Sequence, residues 1–318
     1  MLIKEANMYN DYQTRLQDFE KKLGVVNPEW FKQFFMMLEK CNVSEDVFTK
    51  YMDFAFSDES IASYKGSLGG SKKSIYLKTQ SSTNTINEFY TYMTHIAKTK
   101  GIDYMREFLE RSVGSIEKDY EQYKAQGHAK NTNFFNMFLR QLIKENPQDV
   151  RLESLGTHMK DISVESGSGN IEVSIAGVSL GHLHFEESKS NVPTIQFTEF
   201  RTLSGLEQLG LGSHMFREFC REIDVYKPGY SALAWSVMKG RDGEKAYSKW
   251  GGYPVVTTYD ENEGWNIDTT PMSDEQYENA IGQQMFYFTP DVVKTQANVN
   301  KNRYSHFLTD TQSVMGDD

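Results

Sequence analysis

Two glycines, Gly210 and Gly212, stand directly ahead of a helical run, His214 to Ile223, and behind an alternating segment, Thr194 to Arg201. The order strand, glycine loop, helix aims backbone N–H groups and the positive end of a helix at an anion. Neither glycine carries a side chain to block close approach. Titratable residues flank this stretch. Glu199 lies on the strand, in alternation with Ile195, Phe197 and Arg201. It is either a base with a pKa tuned by burial or a surface carboxylate paired with Arg201. His182 and His184 share one face of an earlier strand, where they line a site or hold a metal, with no third ligand nearby in the sequence. His214 opens the helix, where the positive dipole end lowers its pKa and makes it a poor base.

Other motifs carry less. Ser63 to Ser74 contains Gly69-Gly70-Ser71-Lys72-Lys73, but a phosphate-binding loop needs Gly directly before the Lys and Ser or Thr directly after it. It reads as a surface loop. No Cys–His or Ser–His–Asp spacing is evident. The two cysteines, Cys41 and Cys220, are too few for a disulfide framework or a four-Cys zinc site and read as buried thiols.

The elements that must hold these residues follow from periodicity. Across 318 residues, roughly 100–200 per domain leaves room for two. The first part is helical. Asn27-Pro28-Glu29 starts a helix carrying Trp30, Phe31, Phe34, Phe35 and Leu38; Ser44 caps the next. Further helices are expected over 86–99, 104–112 and 133–144. Asn146-Pro147 is the boundary. Beyond it the period changes to two: 171–175 and 178–186 form a hairpin about Ala176-Gly177, and 194–201 is the strand before the glycine loop. Lys227-Pro228-Gly229 turns into a strand at 231–238, a helix around Lys245 to Trp250 follows, and 284–289 is a last strand. The segment 257–270 reads as a polar connection, and residues from Asp291 as a polar tail.

This succession, ending at Tyr247-Ser248-Lys249-Trp250-Gly251-Gly252-Tyr253, resembles the GCN5-related N-acetyltransferase (GNAT) superfamily over about 155–290. The resemblance implies a mixed, mostly antiparallel α/β sheet with flanking helices, preceded by an α-helical N-terminal domain. Domain limits are then 1–148, helical and of unassigned role; 149–290, GNAT-like; and 291–318, a polar tail. It implies acetyl-CoA as co-substrate, its pantetheine arm lying between two strands that splay at a bulge. Backbone groups of Arg201, Thr202 and Leu203 would pair with that arm. The N–H groups of Gln208, Leu209, Gly210, Leu211, Gly212 and Ser213 would face the pyrophosphate. Glu199, just before the expected bulge, takes the position of a base, and Tyr247 that of the acid which protonates the leaving thiolate. One residue departs from the family's loop. Glu207 stands where Arg or Gln is usual, and a carboxylate there repels a pyrophosphate by about 1 kcal/mol even in water.

The implied activity is direct transfer of acetyl from acetyl-CoA to an amine, either a protein lysine or N-terminus or a small amine. Two alternatives stay open: a non-catalytic interaction module with a degenerate loop, and a longer-acyl or aminoacyl transferase on the same fold. A net charge of −10 counts against nucleic acid as the main partner. No apolar run reaches the ~20 residues of a membrane span and the N-terminus has no signal core, so the expectation is a cytoplasmic protein.

Overall fold

The computed structural model describes residues 12–18, 21, 29–58, 90–125, 134–175, 178–202, 206, 208–238, 242–280 and 283–299. The loop at 63–74 and the cap at Asn27-Pro28 lie outside the described residues, as do Leu203 and Glu207. The chain divides into two compact units: Met1–Val150 with Ile175–Val178 and Leu203–Glu207, and Arg151–Ser174 with Ser179–Thr202 and Gln208–Asp318.

The first unit contains α1 (Glu29–Lys40), α2 (Glu45–Ala55), α3 (Ile102–Ala125) and α4 (Phe134–Glu145), with helical stretches at 12–18 and 90–100. Ser44 caps α2, its hydroxyl accepting from the Val47 N–H at 3.4 Å, a contact worth about 1 kcal/mol. Apolar residues at helical spacing bury Phe35, Leu38, Phe48, Met52, Phe138 and Leu142. Aromatic edges meet there, Phe34 lying 5.1 Å from Phe138 and Phe138 5.8 Å from Phe108. The helix expected at 104–112 runs on to Ala125, because Val113, Ile116, Tyr120 and Tyr123 keep the spacing and are buried. Arg140, also buried, donates to Asp119 at 3.0 Å and to Tyr123 at 3.1 Å, so its charge is paired.

The second unit is one sheet of eight strands: β1 (Val150–Gly156), β2 (Ser168–Ile175), β3 (Val178–Glu187), β4 (Thr194–Thr202), β5 (Ser231–Met238), β6 (Tyr253–Asp260), β7 (Gly264–Pro271) and β8 (Gln283–Phe288). Their order is β1-β2-β3-β4-β5-β8-β6-β7. Of the strand pairings described, β4 with β5 alone is parallel. This is the mixed, mostly antiparallel sheet with flanking helices expected from the sequence.

Three helices cover one face. Phe216 and Phe219 of α5 (Leu211–Tyr226) meet the Phe197 ring at 5.9 and 5.4 Å, and Tyr247 of α6 (Asp242–Lys249) meets it at 5.5 Å. A short α7 (Asp274–Asn279) precedes β8. α8 (Pro290–Asn298) then joins the same layer, Gln296 Nε2 donating to the Trp250 carbonyl at 2.9 Å. On the other face Leu233, Val255, Ile267 and Tyr287 form a second core, with Val192 and Trp265 against it. There β7 returns to the loop before β4: Asn191 Oδ1 accepts from the Ile267 N–H at 2.8 Å, and the Trp265 N–H donates to the Lys189 carbonyl at 2.8 Å. That loop occupies an edge that would otherwise be open to pairing.

Two expectations are corrected, and one element is new. The segment 257–270 is not a connection but most of the β6–β7 hairpin, polar because it lies at the sheet margin, where outward positions are hydrated. Likewise the polar tail begins too early. Thr289 caps α8 through the Val292 N–H at 3.2 Å, Pro290 takes its first turn, and Val293 and Ala297, four apart, bury a narrow apolar stripe. Finally, Val150–Gly156, which carried no expectation, is an edge strand. Cys41 and Cys220 are buried and free, as read from the sequence.

Candidate functional site

β4 and β5 run together from Thr194 opposite Ser231 to Phe197 opposite Ala234. There their register ends. β4 continues to Thr202 along β3, and β5 to Met238 along β8. Both strands are irregular at this level. Against β3, Glu199 faces His184 and Phe197 faces Phe185, which leaves Thr198 as an extra residue. Against β8, Ala234 faces Phe286 and Val237 faces Gln284, so two residues, Trp235 and Ser236, oppose Met285. A bulge bends its strand and increases its twist. One on each strand, at the same height, turns the two apart.

The bulge also sorts side chains between faces. A Cβ on Gly181 would stand 3.1 Å from Met215 of α5, so Gly181, Leu183 and Phe185 face the helices and His182 and His184 face away. Phe197 and Phe200 both reach Tyr247, at 5.5 and 6.3 Å, although they are three residues apart. Thr198 accounts for the odd spacing. Glu199 consequently faces away from the helices, with Arg201 Nε at 2.8 Å and His182 Nε2 at 3.6 Å. His184 Nδ1 lies 2.8 Å from the Thr198 hydroxyl and ties the bulge to β3. The expected alternation of Glu199 with Phe197 therefore fails, and the bulge lies before Glu199 rather than after it. Glu199 keeps Arg201 as a same-face neighbour and loses Phe197, because one inserted residue reverses the period.

Tyr247 occupies the helix side of the parting. Its ring lies among Phe197, Phe200, Trp250, Phe286 and Phe288. Burial pushes its phenol well above the ordinary range, so the proton stays on. Glu199 and Tyr247 thus stand on opposite faces of β4, at the level where it leaves β5.

The glycine loop leads into α5. Gln208 and Gly210 have positive φ, 65° and 76°, and Leu209 between them does not. Alternating backbone handedness turns successive N–H groups toward one concavity. Gly210 is the N-cap and offers no side chain to the helix's free N–H groups, and the first turn holds no acidic residue. Leu209 and Leu211 are buried and anchor the loop, leaving Gln208 and Gly210 exposed. Behind the loop, Trp250 Nε1 donates to the Ser213 hydroxyl at 3.2 Å. Arg201 and Thr202 end β4 opposite His182 and Gly181. Desolvation of the half-buried His214 lowers its pKa to about 4, with Arg221 and Arg217 adding repulsion, the direction expected from the helix dipole.

Phe200, Trp250, Phe286 and Thr198 had no role in the sequence argument. Trp250 was visible as the end of a helix, and Phe286 as a strand residue without a known neighbour. Among the described residues no group of three His, Cys, Asp or Glu side chains could hold a metal. No described helix is long and apolar enough to cross a membrane.

No protein-family model matches the chain, and no curated protein does. Solved structures resemble part of it. A GNAT-family protein from Desulfovibrio desulfuricans is 8% identical over 44% of this chain and 99% of its own, with a TM-score of 0.30. A mutant of the AtaT toxin bound to the C-terminus of the antitoxin AtaR is 10% identical over 48% and 99%, with a TM-score of 0.32. The same toxin and antitoxin with acetyl-CoA give 11%, 46%, 97% and 0.30. The strand order and the parting of β4 from β5 are the arrangement that the resemblance in the sequence implied for 155–290. In the second unit the glycine loop, the parting and Tyr247 meet through one residue, Phe200, whose ring touches Tyr247 and Trp250 and lies against Gly212.

Proposed function

We propose that the chain is an acyl-CoA-dependent N-acyltransferase that moves an acetyl group from acetyl-CoA directly to an amine. The observation that carries this reading is the parting of β4 from β5 above the Phe197–Ala234 rung, at the foot of a loop with converging N–H groups. Gln208 to Ser213 would bind the pyrophosphate through backbone N–H groups at the start of α5. The β4 backbone at Arg201, Thr202 and Leu203 would pair with the pantetheine arm as an added strand does. Bound there, acetyl-CoA supplies an activated acyl carbon.

The two faces of β4 then divide the proton traffic. An amine arriving on the face of His182 and Glu199 attacks the thioester carbonyl; the C–N bond forms and the C–S bond breaks. Glu199 takes the amine's proton, and Tyr247, on the helix face, returns one to the thiolate. The helical domain read from the sequence, 1–148, would select the acceptor, a protein or a small amine, and 149–290 would carry the chemistry.

A second reading, a non-catalytic interaction module, draws support from Glu199 being held by Arg201 at 2.8 Å and from Glu207 in the loop. Calorimetry with acetyl-CoA separates the two, since absence of binding at millimolar concentration leaves only the module. Transfer itself is tested by mass spectrometry of candidate amines and lysate after incubation with labelled acetyl-CoA, with Glu199→Gln and Tyr247→Phe as paired controls. Labelling undiminished in both variants would remove the assigned roles while keeping the activity.

A further inference from the structure

The last paired rung before the strands part crosses three of them: Phe197 on β4, Ala234 on β5 and Phe286 on β8. Residues in register share a face, and this rung faces the helices. Alanine at its centre leaves a notch between two phenylalanines. The Tyr247 ring sits 5.5 Å from Phe197 and 5.8 Å from Phe286, astride that notch. Phe288 backs it at 6.1 Å from Tyr247 and 6.0 Å from Phe197. Phe197, Phe286 and Phe288 are each at most 1% exposed and Tyr247 6%, so the four rings form a wall closed to solvent.

On the opposite face the β3–β4 side of this level is polar, beside the core that contains Leu233. Gln196 shares a rung with Leu233, His184 is bonded to Thr198, and Glu199 is paired with Arg201. An acyl group delivered to the foot of the gap therefore has aromatic carbon ahead of it on one face and paired polar groups on the other. Extra methylenes in the first direction must displace well-packed rings. In the second they strip hydration from charged groups.

We propose that Phe286, together with Phe197 and Tyr247, limits the transferred acyl group to a short one, acetyl or propionyl, and that Phe286 is the specificity-determining residue. This rests on the acyl-transfer reading above and deepens it. Phe286 is the lever because Phe197 is also tied to Phe216 and Phe219 of α5, at 5.9 and 5.4 Å, so shortening Phe197 would loosen the helix as well. Phe286 comes from a strand more than thirty residues past Tyr253, and only the β5–β8 pairing brings it to the site.

The test is calorimetry on the full chain with free CoA and acetyl-, butyryl- and hexanoyl-CoA. The wild type is expected to bind acetyl-CoA at least about tenfold more tightly than hexanoyl-CoA. Phe286→Ala should narrow or invert that ratio, and Phe286→Leu, a milder change should alanine compromise folding, should move it part of the way. Tyr247→Phe keeps the ring and should keep the ratio. Equal affinity of the wild type for acetyl- and hexanoyl-CoA overturns the length limit and leaves acyl transfer standing. A folded Phe286→Leu with the wild-type ratio overturns the role of Phe286. If neither free CoA nor any thioester binds, acyl transfer falls, and the length limit with it.

Discussion

A methyl group on Gly212 would stand 3.3 Å from Cζ of Phe200, and the Phe200 ring lies 6.3 Å from Tyr247, tilted from it by only 26°. The glycine loop and Tyr247 thus press on the same side chain. Gly212→Ala should force the loop or the ring to yield by a few tenths of an ångström. We expect a stability loss of about 1 kcal/mol and a larger proportional loss in acetyl-CoA affinity, read by urea titration and calorimetry. Gly210→Ala makes the contrast. Nothing stands within 4 Å of a Cβ there, but φ is +76°, so its effect should come from backbone strain of about 1 kcal/mol. Equal affinity for acetyl-CoA in both variants and the wild type would disconnect the loop from the cofactor.

Tyr247→Phe should lower turnover by roughly 10²–10⁴-fold, the range of a lost general acid, with little change in acetyl-CoA binding. The same substitution has a signature in stability. Burial raises the phenol above its ordinary value near 10, so the folded state favours the neutral form. That contribution is complete below about pH 10 and lost as pH rises through the folded pKa. Wild-type stability should therefore fall more steeply above pH 10 than that of Tyr247→Phe. Parallel alkaline profiles would mean that the phenol is not held neutral by its surroundings.

The strand, loop and first helix were legible because glycine spacing and alternation are local properties of the chain. So was the helical first unit, whose stripes at Phe34 to Leu38 and Phe138 to Ile143 need no partner to be recognised. The face on which Glu199 lies was not legible. Inserting Thr198 leaves composition and hydropathy untouched and shows only in the pairing with β3. The β6–β7 hairpin escaped because a marginal strand exposes too much polar surface to look like one, and α8 because only Val293 and Ala297 are buried along it. Phe286 is a different case. Its residue type was plain, but its position beside Tyr247 depends on β8 inserting between β5 and β6, which no local pattern encodes.

His214 makes acid stability testable. Burial, with Arg221 and Arg217, brings its pKa from the usual 6.5 to about 4. A depressed pKa means that the unfolded chain takes up the proton first, so stability is fully present above pH 6.5 and lost as pH falls toward 4. The loss from this residue should be at most a few kcal/mol. Urea midpoints at pH 7, 6, 5 and 4 should decline more in the wild type than in His214→Asn. Identical declines would show that other groups carry the acid sensitivity.

Ala234 should tolerate enlargement poorly. It is fully buried on the rung between Phe197 and Phe286, under the Tyr247 ring. Leucine there fills the notch and must lift Tyr247 or spread the flanking rings, at about 1–3 kcal/mol. Turnover should fall with it, because the phenol moves away from the parting of the strands. Shortening Phe286 offers the displaced volume somewhere to go. Ala234→Leu with Phe286→Ala should therefore be more stable than the sum of the two single changes implies, with a coupling of roughly 0.5–3 kcal/mol. Urea denaturation of the four proteins measures it directly. Strict additivity would place Tyr247 elsewhere than over Ala234, and with it the wall proposed to limit the acyl chain.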